Sequence, residues 1–220
     1  MPTSLPDALA ELAALEDPKS RAINERHGDA HGVNLTKLRG LAKRIGTDPA
    51  LARELWSSGD VAGQLLGILL AKPRDLSADE LDAMVRGTLS AKAHDWVVAY
   101  LVKKSPRAEE LRERWNEDPD PDARAGAWSL TTVRVVKSPE GLDLDALLDR
   151  IERELADAPG REQWAMNETL AQIGIQHPAL RDRAIAIGER LQVLADYPVP
   201  PNCTSPFAPL WIAEMVRRQV

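Results

Sequence analysis

The chain has 220 residues, 44% of them hydrophobic, and a formal net charge of −6. That length suits one large domain or two small ones with a substantial core, and a lone cysteine, Cys203, excludes an intrachain disulfide and points to a reducing compartment. Six tryptophans against one Phe and two Tyr, in a background rich in Leu and Ala, argue against a β-sandwich and for packed helices.

In chain order, the N-terminal segment lacks a basic region followed by an apolar core, so no signal peptide is expected. Leu5, Leu9, Leu12 and Leu15 form one apolar stripe of a first helix over 5–14. Asp17-Pro18 opens a second that ends near His27-Gly28. Asn34 caps a third, with Leu35, Leu38, Leu41 and Ile45 inside and Gly46 at its end. Asp48-Pro49 opens a fourth. The nearly all-apolar run 60–71 reads as a helix buried on most sides. Ser77 and Glu80 have the spacing of a capping box. One continuous helix is expected over 92–104, followed by 106–116. The Asp118-Pro119-Asp120-Pro121 punctuation precedes a long helix over 122–137. Further helices are expected over 144–158, 162–175, 179–191 and 210–218, with a proline-rich loop over 197–209. No apolar run approaches membrane-spanning length, so a cytoplasmic protein without membrane association is expected. The fold expectation is all-α: an α-α superhelix, or solenoid, of HEAT-like helical pairs in a right-angled curved array, one domain over 1–220.

An acidic chain is a poor candidate for nucleic-acid binding when judged by net charge alone. The charge is unevenly spread, however. Residues 34–44 carry +4, 92–107 carry +3 and 124–137 carry +3, so these three stretches hold +10 and the remainder −16. Brought to one face they make a basic surface; otherwise they are solvated helix flanks. The sequence contains no C-x-x-C, H-E-x-x-H, phosphate-binding glycine loop or G-x-S-x-G. His27 and His31 straddle Gly28 and are not expected to share a helix face, so neither a metal nor a cofactor is expected.

The stretch 91–137 concentrates the remaining signals. It holds three of the six tryptophans and two of the basic clusters. In a regular α-helix Trp96, Tyr100 and Lys103 fall at i, i+4 and i+7, on one face. Arg124 and Trp128 pair at i, i+4 on the later helix. Cations beside aromatic rings suit a phosphate backbone or an electron-poor base; the alternative is that Trp96 and Trp128 fill the core.

The sequence resembles the AlkD-like DNA alkylation repair family of HEAT-like-repeat DNA glycosylases, as a divergent member. The resemblance is carried by Asp17-Pro18-Lys19, Arg26-His27-Gly28, 32–45 (GVNLTKLRGLAKRI), Glu54-Leu55-Trp56, 59–73, Asp95-Trp96, Arg124-Ala125-Gly126, Ala165-Met166-Asn167 and Cys203-Thr204-Ser205-Pro206. It implies duplex DNA, alkylated, as the partner, and hydrolysis of the N-glycosidic bond of N3- or N7-alkylpurines. In the family an aspartate stabilises the developing sugar cation, tryptophans contact the nucleotide, and an arginine holds the phosphate. Trp96 matches the first tryptophan and Arg124 the arginine. The aspartate's position falls on Tyr100, which is neutral at pH 7; the second tryptophan's falls on Glu168, with Trp164 one turn earlier. Asp95 lies about 100° around an α-helix from Trp96. The residues expected at a catalytic site are therefore Trp96, Tyr100 and Glu168. Those expected at DNA are Lys37, Arg39, Lys103, Lys104, Arg124, Trp128 and Arg134. The expected activity is DNA binding on a basic concave face with a degenerate glycosylase site, base release being slow or absent; the alternative is a non-catalytic HEAT-repeat protein-interaction scaffold.

Overall fold

The computed structural model describes residues 3–201 and 203–219, so residue 202 of the proline-rich loop lies outside it. The chain is all-α, and among the described residues there is no β-strand, only an isolated bridge between Glu16 and Val33. It groups into two compact units that divide between Glu110 and Leu111. No helix among the described residues is long and apolar enough to cross a membrane.

In the first unit the helices are α1 (Leu5–Ala14), α2 (Pro18–Glu25), α3 (Leu35–Ile45), α4 (Pro49–Ser57), α5 (Val61–Leu70), α6 (Ala78–Arg86) and α7 (Ala91–Trp96). Their boundaries are set by side chains that accept from otherwise unpaired N–H groups of the first turn: Ser4, Asp17, Asn34, Asp48, Asp60, Ser77 and Ser90, one for each helix. Ser77 and Glu80 complete the reciprocal capping box. Helix α5 is the centre of this unit. Its whole length except Leu69 is buried, and it packs against α3, α4 and α7. Burying side chains such as Leu65 and Leu66 stabilises the fold by about 2 kcal/mol each. At Gly67 an added Cβ would lie 2.8 Å from the Ala52 carbonyl oxygen, so α4 and α5 approach at backbone distance. Buried Gln64 donates to the Gly87 carbonyl (2.8 Å) and accepts from the Leu89 N–H (2.9 Å), fastening the end of α6 to α5.

The expected helix over 92–104 is not continuous. After α7 the chain widens into a π-helical turn, Val97–Leu101, and tightens into a 3-10 turn, Val102–Lys104. The Val102 N–H reaches back to the Val97 carbonyl, five residues away. Val97, Val98, Leu101 and Val102 are all buried along this stretch.

The second unit continues from helix α8 (Ala108–Trp115), which carries the division, through α9 (Pro121–Lys137), α10 (Leu144–Glu154), α11 (Gly160–Gln176), α12 (Arg181–Leu191) and α13 (Ala208–Arg217). The two 17-residue helices α9 and α11 are its spine. They meet through buried Thr132 and Thr169, whose hydroxyls are 2.7 Å apart. Trp115 is fully buried against Gly126 of α9, where a Cβ would stand 3.0 Å from the indole. Gly174 of α11 serves α13 in the same way: a Cβ there would meet Ile212 at 2.5 Å. Buried Asn167 donates to the Pro206 carbonyl (2.8 Å), anchoring the loop before α13 on α11.

Candidate nucleic-acid interface

The amphipathic pattern of α3 decides which cations face outward. Leu38 and Leu41 are buried, leaving Lys37, Arg39 and Lys43 exposed. Because α5 packs against both α3 and the π turn, the Arg39 side chain arrives beside the aromatic pair carried by the 91–104 segment. Its guanidinium carbon lies 4.9 Å from the centroid of Trp96, and its Nη2 donates a long 3.5 Å hydrogen bond to the Tyr100 hydroxyl. The Trp96 and Tyr100 rings meet edge to face, centroids 5.3 Å apart at 83°. Lys104 Nζ stands 5.1 Å from the Tyr100 centroid. The result is a ladder of Arg39, Trp96, Tyr100 and Lys104, cations at its ends and rings between.

Lys104, and not the expected Lys103, joins this ladder. The expected regular helix puts Lys103 on the face of Trp96 and Tyr100; in the structure Lys104, four residues after Tyr100, stands over that ring. Lys103 lies half-buried in the 3-10 turn. Among the described residues Lys37, Arg39, Lys43, Lys103 and Lys104 make no ion pair, whereas nearby Arg44 and Arg53 are paired with Glu11 and Glu80. Arg39, Lys43, Gly46, Thr47 and Leu69 also line a shallow cavity of about 240 Å³.

The loop between α2 and α3 holds α3 in place. Buried Asp29 pairs with Lys92 of α7 at 3.1 Å, tying the entry of α3 to the helix that leads to Trp96. His31 is 1% exposed. Its Nδ1 accepts from the Val33 N–H at 3.2 Å and lies 3.4 Å from the Asn24 amide, so the neutral ring carries its proton on Nε2. Burial lowers the His31 pKa, with Asp29 opposing and Lys92 reinforcing. His31 Nε2 and Asp29 Oδ1 are buried without a hydrogen-bond partner among the described residues. No group of three or more metal-binding side chains occurs among the described residues.

The second unit uses its expected site residues differently. Arg124 Nε and Nη2 donate to the two carboxylate oxygens of Glu162, both at 2.8 Å, and Nη1 donates to the Asp118 and Pro119 carbonyls at 2.6 and 3.1 Å. The bond to Glu162 raises the Arg124 pKa. Trp128 is 3% exposed, with the Arg150 guanidinium 5.0 Å from its ring. Arg134 donates to the Ser138 and Glu140 carbonyls, closing the end of α9. Glu168 is half-buried on α11, one turn beyond Trp164; Trp164 is exposed and stacks edge to face with Tyr197 at 5.0 Å. Periodicity identified the basic α3 face and the Trp96–Tyr100 pair. It missed the contacts that join distant segments: Arg39 on Trp96, Lys92 on Asp29, and Glu162 on Arg124.

Compared with known proteins, the sequence matches the family model described as DNA alkylation repair enzyme over residues 8–208. No curated protein matches it significantly. The fold is similar, at a TM-score of 0.79 and 20% sequence identity, to a solved structure from a study of a new family of proteins related to the HEAT-like repeat DNA glycosylases with affinity for branched DNA structures; the match covers 98% of this chain and 95% of that one.

Proposed function

The chain belongs to the DNA alkylation repair enzyme family, and on that premise we propose that it binds duplex DNA through the basic, aromatic face of its first unit, without excising bases. The observation that carries this reading is the set of exposed or half-exposed cations, Lys37, Arg39, Lys43, Lys103 and Lys104, none in a salt bridge among the described residues, with only Lys37 under the field of an acid, Asp17, gathered on α3 and the turn after Trp96. Cations free of internal carboxylates can release counterions from phosphates, the main source of affinity for duplex DNA. The chemistry of base release points the other way. Hydrolysis of an alkylpurine glycosidic bond develops positive charge on the sugar, which a nearby carboxylate stabilises. Beside Trp96 stand a guanidinium and a neutral phenol, and an added cation there opposes that charge.

Branched DNA is a natural second ligand to try, because the similar structure's study concerns proteins with affinity for it. A gel shift with a plain duplex and a four-way junction, run beside a 7-methylguanine release assay, tests the reading. Salt-sensitive binding with no base release is expected. Absence of binding at low salt refutes the DNA reading and favours a protein-interaction scaffold, for which the exposed Trp164–Tyr197 pair offers a surface. Robust base release refutes the non-catalytic reading.

A further inference from the structure

We infer that Arg39 is a built-in cation that makes this face select the phosphodiester anion and reject a positively charged, alkylated base; the inference rests on the DNA reading above. An aromatic face attracts whichever cation reaches it. Trp96 is 9% exposed, so little of its ring is open to a ligand, and the Arg39 guanidinium already lies 4.9 Å from its centroid. Tyr100 is engaged in the same way, with Lys104 Nζ 5.1 Å from its centroid and Arg39 Nη2 at its hydroxyl. A cationic base arriving here must displace a tethered guanidinium from the ring while two positive charges repel it. The ring quadrupoles that would favour such a base are thus satisfied from within the chain.

An anion meets the opposite situation. The guanidinium rests beside the ring and the Tyr100 hydroxyl, and among the described residues no hydrogen bond engages its Nε or Nη1. Those donors are available in the planar fork that matches a phosphate. Lys43 follows one turn along α3 and lines the same shallow cavity, with the Thr47 side chain beside it. Arg39 and Lys43 together make a seat for one phosphodiester, oriented by aromatic stacking and indifferent to the base above it.

The test is fluorescence anisotropy of the full chain with three versions of one duplex: unmodified, carrying a single 7-methylguanine, and carrying a short run of uncharged methylphosphonate linkages. The methylated and unmodified duplexes are expected to bind within about twofold of each other, and the methylphosphonate duplex about tenfold more weakly. Arg39→Met should weaken the unmodified duplex about tenfold. It should also create a preference for 7-methylguanine, because it uncovers Trp96; a merely structural role for Arg39 does not produce that reversal. Arg39→Lys should retain the lesion-blind pattern. Arg39 is exposed, and an unchanged thermal melt establishes that each variant is folded. Tenfold tighter binding of the methylated duplex by the parent protein, or unchanged binding by Arg39→Met, overturns the inference while leaving DNA binding intact. Failure to bind the unmodified duplex overturns the DNA reading itself, and the inference with it.

Discussion

Replacing Arg124 with Met distinguishes a structural arginine from a phosphate-binding one. The substitution keeps much of the aliphatic stem and removes the guanidinium. It leaves the Glu162 carboxylate 4% exposed and without its two 2.8 Å donors. Removing one partner of a buried ion pair costs about 3–5 kcal/mol, mainly because the remaining charge is stranded away from water. The Arg124 side chain is itself 23% exposed, so some water can reach the vacated space, and the lower end, about 3 kcal/mol, applies. For a chain of this size that lowers the melting temperature by roughly 10 °C. The Arg124→Met/Glu162→Leu double variant should recover much of the loss, because an apolar pair of similar volume often replaces a buried ion pair without penalty. Chemical unfolding followed by circular dichroism reads the stability, and DNA anisotropy well below both melting temperatures reads function. A variant that melts within about 1 kcal/mol of the parent yet loses DNA affinity refutes this account and makes Arg124 a phosphate contact.

The five cations of α3 and the turn after Trp96 that form no salt bridge predict a slope of about −4.5 in log affinity against log salt, or roughly a 500-fold loss between about 50 and about 200 mM. Lys104→Met should flatten that slope by about 0.9; an unchanged slope removes Lys104 from the interface. Stability should fall as pH drops below about 6.5, the ordinary value for His31, because the unfolded chain takes up a proton that the buried ring resists. A proton on Nδ1 would face the Val33 N–H it now accepts from. Chemical denaturation at several pH values, with His31→Gln as the comparison, reads this; equal pH slopes for the two proteins contradict it. Gly174→Ala would press a Cβ to 2.5 Å from Ile212 and 3.2 Å from Ala184 and should destabilise by about 1–3 kcal/mol in the same unfolding assay.

Local signals were readable in the letters because their causes are local. Asp17, Asn34, Asp48 and Ser77 cap the helices expected of them, and the Ser77–Glu80 spacing closes into its capping box. The apolar run after Asp60 is the central helix of its unit. Two kinds of feature were not readable. One is the choice of partner by a long side chain: Arg124 has the spacing to sit beside Trp128, yet Glu162, 38 residues later, takes it, and the Trp128 ring is met by Arg150. Charge and hydrogen-bond geometry across packed helices decide that, and one-dimensional periodicity carries no trace of it.

The other is a change of helical period. Within the segment VVAYLV the chain widens a single turn. That change removes the 3.6-residue periodicity on which the expected grouping of Trp96, Tyr100 and Lys103 depends. Val97, Val98, Leu101 and Val102 are buried along the segment, and Lys104, not Lys103, reaches the Tyr100 ring. Lys104→Met should therefore flatten the salt slope more than Lys103→Met does. Equal flattening by the two substitutions contradicts the placement of Lys104 on the aromatic face.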